Sequence, residues 1–155
     1  KTAELFAAAA ESGAVSAGTD GARVHALRSF GMNLGMAFQL ADDVLDYGGT
    51  AEALGKNAGD DFREGKATLP LLLAITRSGP HEAAFWERAV GRREQDDADF
   101  KRAREIMAAT GALEASLDLA AEYADRAKAD LAVFPAGEWR ASLEALSDFA
   151  VSRRA

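Results

Sequence analysis

The sequence contains no cysteine, only two histidines and only three prolines. The absence of cysteine excludes disulfides, thiolate metal ligands and cysteine nucleophiles, and it is typical of the reducing cytoplasm, where we expect this protein to act. The histidines, His25 and His81, are too few for a histidine-rich zinc site. A divalent ion would therefore need carboxylate ligands, which suit a hard cation such as Mg²⁺.

Positive charge and long apolar runs are also scarce. The formal net charge is −7 for 155 residues, whereas a nucleic-acid-binding protein needs a basic surface, so a nucleic-acid partner is disfavoured. No apolar run approaches the ~20 residues of a membrane-spanning helix, and no signal peptide is recognisable, so we expect no transmembrane segment. The chain begins at Lys1 inside a helical pattern, and we expect further sequence to precede it.

Strand signals are few, because alternating patterns and hairpin dipeptides are rare while alanine, leucine and glutamate dominate. This composition predicts an all-α fold. Thr19 or Asp20, Thr68, and Asp96 or Asp97 stand where helix caps are expected. The predicted helices cover about 1–13, 20–47, 68–79, 81–91, 98–109, 112–133 and 136–152.

Three acids, Asp42, Asp43 and Asp46, cluster at the end of the second predicted helix. Asp42 and Asp46 lie one turn apart on the same face, and their charges repel each other near the negative end of the helix dipole. Such a cluster is either a solvated acidic helix end or a cation site. Apolar residues interleave with the acids, from Phe38 to Leu45, and this favours a bound cation such as Mg²⁺, which also bridges to phosphates.

The segment 48–66 lacks an apolar stripe and is rich in glycine and charge. Its length and composition are typical of a functional loop. Lys56 and Lys66 each follow a glycine, a combination that suits an anion, although either lysine taken singly is better explained as a solvated surface charge. The spacing of a nucleotide P-loop is absent. An acidic cluster followed by a glycine-lysine loop therefore predicts a metal–diphosphate site.

These motifs resemble the second aspartate-rich region of trans-isoprenyl diphosphate synthases. The pattern is Phe-Gln-x-x-Asp-Asp-x-x-Asp, then Gly-Lys-x-x-Gly-x-Asp, then Gly-Lys-x-Thr-x-Pro, and it is filled by Phe38, Gln39, Asp42, Asp43, Asp46, Gly55, Lys56, Gly59, Asp61, Gly65, Lys66, Thr68 and Pro70. The opening Lys1-Thr2 is similar to the Lys-Thr segment of the family, and the tail is similar to that of its long-chain members. The resemblance implies an isoprenoid synthase-type helical bundle, with residues 1–155 as the C-terminal part of a single polyprenyl synthase domain.

The resemblance also implies roles for individual residues. The Mg²⁺ site would be made of carboxylates, with Asp42 as a direct ligand and with ligating, water-bridging or orienting roles for Asp43, Asp46 and Asp61. The allylic diphosphate would be held by Lys1, Lys56 and Lys66. Thr2 and Gln39 would place oxygen lone pairs near the developing allylic cation.

The implied reaction joins isopentenyl diphosphate to an allylic diphosphate by ionisation, condensation and elimination, and the implied assembly is a homodimer. The first aspartate-rich motif of the family has no counterpart before Lys1. Residues 1–155 therefore hold half of an active site, and we expect them to be inactive alone.

Two other classes of protein share this type of helical bundle. A non-catalytic regulatory subunit of a heteromeric synthase would keep the fold, but such subunits usually lose acids from the second motif, which is intact here. A terpene cyclase-type enzyme would share the bundle, but the Gly-Lys loop and the Lys66-x-Thr68-x-Pro70 pattern argue against it.

Overall fold

The computed structural model describes residues 1–48 and 59–152, which are helical and contain no strand, so the all-α prediction is confirmed. The helices are α1 (Thr2–Ser16), α2 (Gly21–Gly48), α3 (Asp60–Arg63), α4 (Leu69–Arg77), α5 (Ala83–Trp86), α6 (Asp99–Ala109), α7 (Ala112–Asp130) and α8 (Glu138–Ser152). A π-helical turn, Glu87–Gly91, continues α5, and a 3₁₀ turn, Leu131–Val133, continues α7. Within the described ranges, no helix is both long and apolar enough to cross a membrane.

The predicted helices and caps agree with the structure in some places and differ from it in others. The predicted loop 48–66 contains the short helix α3, while its residues 49–58 lie outside the described ranges. A single turn around a buried Phe62 carries no apolar periodicity, so the sequence pattern missed it. Asp20 caps α2 as predicted, because its Oδ1 accepts a hydrogen bond from the N–H of Arg23 at 3.0 Å. The predicted cap of α6 by Asp96 or Asp97 is wrong.

The acidic stretch before α6 organises a turn instead of capping the helix. The N-cap position is occupied by Ala98, with no side-chain cap. The buried carboxylate of Asp99 accepts the N–H of Asp96 at 2.8 Å and two hydrogen bonds from Arg88, at 2.6 and 2.8 Å. These hydrogen bonds from Arg88 lower the pKa of Asp99. A buried acid that is fully paired in this way is a structural element of the fold.

The chain divides into two units, and the first comprises residues 1–41 and 117–153. The described part of this unit ends at residue 152. Helices α1 and α8 belong to it entirely, together with most of α2 and α7. The amide of Asn33 on α2 donates a hydrogen bond to the carboxylate of Asp130 on α7 at 2.7 Å. The apolar core of this unit is formed by Phe30, Leu34, Ala127, Leu131 and Ala150, with Phe6, Ala10, Leu27, Phe134 and Leu143 packed against it.

Two glycines bring α1 and α2 into direct backbone contact. A Cβ added at Gly31 would lie 2.4 Å from the carbonyl oxygen of Phe6, and one added at Gly35 would lie 2.5 Å from the Cα of Ala3. Gly31 and Gly35 are one helical turn apart, so they form one face of α2. Only glycine permits this approach, which fixes how α1 lies along α2.

The second unit comprises residues 42–116 and 154–155. Of these, residues 49–58 and 154–155 lie outside the described ranges. It contains the C-terminal end of α2, helices α3 to α6 and the start of α7. Its apolar core is formed by Tyr47, Phe62, Leu71, Ala74, Trp86, Ala89, Ala103, Ile106, Met107 and Ala112. Because Tyr47 and Phe62 belong to this core, the C-terminal end of α2 and the short α3 are held by packing as well as by hydrogen bonds.

The close approach at Gly31 generates the first prediction. Gly31→Ala should lower the free energy of unfolding by about 1–3 kcal/mol, because the added methyl group meets backbone atoms that cannot rotate away. The matched control is Gly13→Ala, where a Cβ meets nothing within 4 Å, and it should be neutral or stabilising by up to about 1 kcal/mol. Urea unfolding of both variants measures the difference, and equal stabilities would contradict the packing argument.

Candidate functional site

In the second unit, Asp46 holds the beginning of α3 through both its main chain and its side chain. The carbonyl oxygen of Asp46 accepts the N–H of Gly59 at 2.9 Å, and its Oδ2 accepts the N–H of Asp61 at 3.0 Å. Gly59 adopts the left-handed conformation, with φ 85°, and a Cβ there would lie 2.5 Å from the ring of Phe100. Gly59, which also fills a position of the motif described above, thus allows the turn that brings Asp61 to the end of α2.

The electrostatic environment of Asp46 is unfavourable to its negative charge. Burial is the main cause that raises the pKa of Asp46, and repulsion from Asp61 and Asp60 adds to it. The hydrogen bond from the N–H of Asp61 opposes this rise. A half-buried carboxylate surrounded by other acids is stabilised by any cation that binds close to it.

Lys66 reaches back to the same acidic group. Its Nζ donates a hydrogen bond to Oδ1 of Asp61 at 2.7 Å and forms an ion pair with Oε2 of Glu64 at 2.9 Å. The hydrogen bond with Asp61, followed by the one with Glu64, raises the pKa of the exposed Lys66 amine. The amine is therefore charged and accessible to an anionic ligand, which would compete with these two carboxylates.

A buried pair of hydroxyl groups lies beside these charges. The hydroxyl oxygens of Tyr47 and Thr68 are 3.2 Å apart, and both side chains are buried. Burial raises the pKa of Tyr47 to about 12, so the phenol stays protonated at neutral pH. Thr68 occupies the N-cap position of α4 as predicted, yet its side chain makes no cap hydrogen bond.

The predicted metal ligands are brought together only in part. Asp46 and Asp61 are in contact, because the N–H of Asp61 donates a hydrogen bond to the carboxylate of Asp46. Asp42 is exposed and Asp43 is half-buried. No three Asp, Glu, His or Cys side chains in residues 1–48 and 59–152 are grouped as metal ligands. The side chains offer carboxylate oxygens, which fit a hard divalent cation. The four-carboxylate site stays a prediction.

In the first unit, the structure brings together Thr2 and Gln39. The hydroxyl of Thr2 donates a hydrogen bond to Oε1 of Gln39 at 2.8 Å. Gln39 is one turn beyond Gly35, so the close contact of α1 with α2 sets this distance. Lys1, at the N-cap position of α1, is exposed. The predicted diphosphate ligand Lys56 lies outside the described residues.

Sequence reasoning missed the hydroxyl pair of Tyr47 and Thr68. The sequence predicts a helix cap at Thr68, and Tyr47 follows the last acid of the cluster without a pattern of its own. The available signal was the tyrosine itself, at the end of a helix that carries many apolar residues, since a buried Tyr hydroxyl usually finds a hydrogen-bond partner. The partner itself is distant in sequence and was not predictable from spacing.

Comparison with known proteins identifies the family. The profile of the Polyprenyl synthetase family matches residues 1–107. The chain belongs to this family. Over 99% of its length it is 43% identical to octaprenyl diphosphate synthase of Escherichia coli, of which it covers 47%. It is 36% identical to nonaprenyl diphosphate synthase of Mycobacterium tuberculosis, again over 99% of its length and covering 45% of that protein. The chain thus spans about half the length of these relatives.

A solved structure of another family member supports the same assignment. The polyprenyl synthase of Caulobacter crescentus CB15, which was crystallised with calcium and isoprenyl diphosphate, superposes with a TM-score of 0.96 at 75% identity. The match covers 100% of this chain and 47% of that one. The predicted isoprenoid synthase-type helical bundle and the predicted family are therefore confirmed.

The second prediction follows from the raised pKa of Asp46. A carboxyl whose pKa is higher in the folded state is destabilising when ionised, and this cost disappears as the pH falls through that pKa. Asp46→Asn keeps an oxygen for the N–H of Asp61 but removes the charge. It should therefore raise the free energy of unfolding at pH 7, and the gain should shrink toward about pH 4.

Urea unfolding of the wild type and Asp46→Asn across this pH range measures the effect. Asp118→Asn, at an exposed position on α7, is the control and should show no such trend. A gain that is the same at both ends of the range would contradict the assigned cause.

Proposed function

We propose that this chain is the C-terminal part of an enzyme that condenses isopentenyl diphosphate with an allylic diphosphate to form a polyprenyl diphosphate. Membership of the family supports this, together with the intact acidic cluster and glycine-lysine loop. The names of the relatives, octaprenyl and nonaprenyl diphosphate synthase, support a long-chain product. The single observation that carries the proposal is the arrangement in which Asp46, Asp61 and Lys66 are joined by direct hydrogen bonds.

Mg²⁺ is the proposed cofactor, held by Asp42, Asp43, Asp46 and Asp61. When bound, a divalent ion neutralises the charge that develops on a departing diphosphate. Calcium and isoprenyl diphosphate in the Caulobacter relative support a site for a divalent cation and a diphosphate. In this chain, the raised pKa of Asp46 supports the same placement, because a cation would relieve the repulsion among the acids.

Lys66 is proposed to change partners when substrate binds. Its amine is held by Asp61 and Glu64. Neutralising the Asp61 carboxylate weakens this hold, and the charged amine can then donate to a diphosphate oxygen. Lys1 and Lys56 are proposed as further cationic ligands. An electrostatic site of this kind needs no protein nucleophile, because it stabilises charge as it develops.

Thr2 and Gln39 are proposed to face the allylic end of the substrate. Because Thr2 donates its only hydroxyl proton to Gln39, the lone pairs of its oxygen stay available to a developing positive charge. Both side chains are half-buried in the first unit. Fixed lone pairs of this kind stabilise a carbocation without attacking it when their distance is set by rigid helices.

The proposed activity is tested with the full-length polypeptide that contains this chain. Purified protein is mixed with radiolabelled isopentenyl diphosphate, an allylic diphosphate primer and Mg²⁺, and the extracted products are separated by chain length. Extension of the primer, abolished by a chelator and restored by Mg²⁺, is the expected result. Extension only after a second, different subunit is added would favour the regulatory-subunit alternative, which no observation on this chain favours at present.

The third prediction concerns Asp42, which is exposed on α2. In the full-length enzyme, Asp42→Ala should lower kcat by at least about a hundredfold, because a lost metal ligand removes transition-state stabilisation. The melting temperature should stay close to that of the wild type, since the side chain is not packed in the core. Steady-state kinetics and a thermal melt give the two readouts.

Asp118→Ala, another exposed helical acid, is the matched control and should leave kcat unchanged. Near-normal turnover of the Asp42 variant would remove this residue from the proposed metal site.

The proposed assembly is a homodimer in the cytoplasm. The exposed apolar side chains of the first unit are consistent with a covered surface, and they include Leu5, Val15, Trp139 and Phe149. Light scattering of the full-length protein at micromolar concentration should give the mass of two chains. A mass of one chain would contradict the dimer without affecting the proposed chemistry.

A further inference from the structure

Thr68 stands at the N-cap of α4 but directs its hydroxyl to Tyr47 instead of to its own helix. A threonine at this position ordinarily accepts a hydrogen bond from an N–H in the first turn of the helix. Here no such cap bond is made, and the hydroxyl oxygens of Thr68 and Tyr47 are 3.2 Å apart. Thr68 is 7% exposed and Tyr47 is fully buried, so this bond is shielded from water.

The start of α4 explains why the cap bond can be given up. Pro70 occupies the first turn and has no N–H, so one of the donors that a cap would serve is missing. The N–H of Thr68 is bonded to the carbonyl oxygen of Lys66 at 3.0 Å, and its own carbonyl oxygen accepts the N–H of Leu72 at 3.0 Å. The helix start is therefore held without the hydroxyl, which is available for a link to α2.

Two consecutive residues of α2 hold the two ends of the segment 59–68. Asp46 binds the N-terminal end through the N–H groups of Gly59 and Asp61. Tyr47 binds the C-terminal end through Thr68. Lys66 lies between these anchors, with its N–H bonded to the carbonyl oxygen of Asp61 at 2.9 Å and its Nζ on the carboxylate of Asp61.

We propose that Tyr47 and Thr68 form a positioning pair that holds Lys66 beside Asp61 for binding the metal–diphosphate group. The proposal rests on the proposed function for the identity of the ligand. The hydroxyls do not touch substrate. They fix the backbone on the C-terminal side of Lys66, so that the amine need not be ordered when the diphosphate arrives.

This role separates binding from stability. In Tyr47→Phe the ring still fills the core, and the freed Thr68 hydroxyl can rotate to cap the N–H of Leu71 in its own helix. The fold should therefore be retained while the link between α2 and the segment 59–68 is lost. A pair that served stability alone would show the opposite pattern, with a lower melting temperature and unchanged ligand binding.

The experiment measures the binding of inorganic pyrophosphate with Mg²⁺ to the full-length protein by calorimetry, together with KM and kcat for the allylic diphosphate. Tyr47→Phe and Thr68→Val should each weaken pyrophosphate binding by about fivefold, the effect of one lost hydrogen bond. KM should rise by the same factor, and kcat should stay within about twofold of the wild type. Thr68→Ser keeps the hydroxyl and should bind like the wild type.

The double variant tests whether the two hydroxyls act together. If they act as one bond, Tyr47→Phe/Thr68→Val should bind no more weakly than either single variant. The matched control is Thr110→Val, which removes a hydroxyl of the same unit that donates to carbonyl oxygens in the last turn of α6, and it should leave binding unchanged. Wild-type affinity in both single variants, or multiplicative losses in the double variant, would overturn the proposal.

Hydrogen exchange distinguishes failure of the pair from failure of the proposed function. If the wild type binds no pyrophosphate, the proposed function fails, and the positioning role is then decided by the amides of Lys66 and Thr68, which are hydrogen-bonded within the segment. These amides should exchange faster in Tyr47→Phe than in the wild type, while those of α6 stay unchanged. Equal exchange rates at Lys66 and Thr68 would overturn the positioning role whatever the ligand.

Discussion

The hydrogen bond from the N–H of Asp61 to the carboxylate of Asp46 is the interaction on which the second unit's candidate site depends. It joins the end of α2 to the start of α3, across a part of the chain with no apolar periodicity to guide it. It also gives a repelled carboxylate one donor, which partly offsets the burial that raises its pKa. It is the direct hydrogen bond between the side chain of an α2 acid and the residue that holds Lys66.

The first unit fixes its candidate residues by a different physical means. There, glycines remove side-chain volume until the backbones of α1 and α2 touch, and one hydrogen bond from Thr2 to Gln39 follows from that contact. Steric exclusion is insensitive to pH and salt, whereas the carboxylate–lysine arrangement of the second unit depends on both. Under the proposed function, rigid packing would suit the residues that face a carbocation, and reversible ion pairs would suit those that exchange a metal and a diphosphate.

Much of this architecture could be predicted from the sequence, because the helices are long and their breaks have local causes. The acids of α2 and the cap at Asp20 follow from spacing and residue type, and the structure bears out that cap. The region around Asp96 could not be predicted in this way. Arg88 lies eleven residues from Asp99, and their paired hydrogen bonds turn an acidic stretch that looked like a cap into a buried anchor. Short-range rules describe donors and acceptors within one turn, and they fail where a tertiary partner competes for the same group.

Thr68 shows the same competition. Local chemistry assigns its hydroxyl to α4, and the folded chain gives it to Tyr47, at a helix start where Pro70 has already removed a donor. The acids of α2 present the complementary case, in which like charges cluster near the C-terminal end of a helix and the N–H of Asp61 offsets the cost to Asp46 only in part. Departures of this kind concentrate where a protein binds something that the fold alone does not contain. The repelled carboxylate of Asp46 and the lysine held beside Asp61 would both be stabilised by a cation with an anionic partner, and this shared requirement is the physical reason for proposing that they form one site.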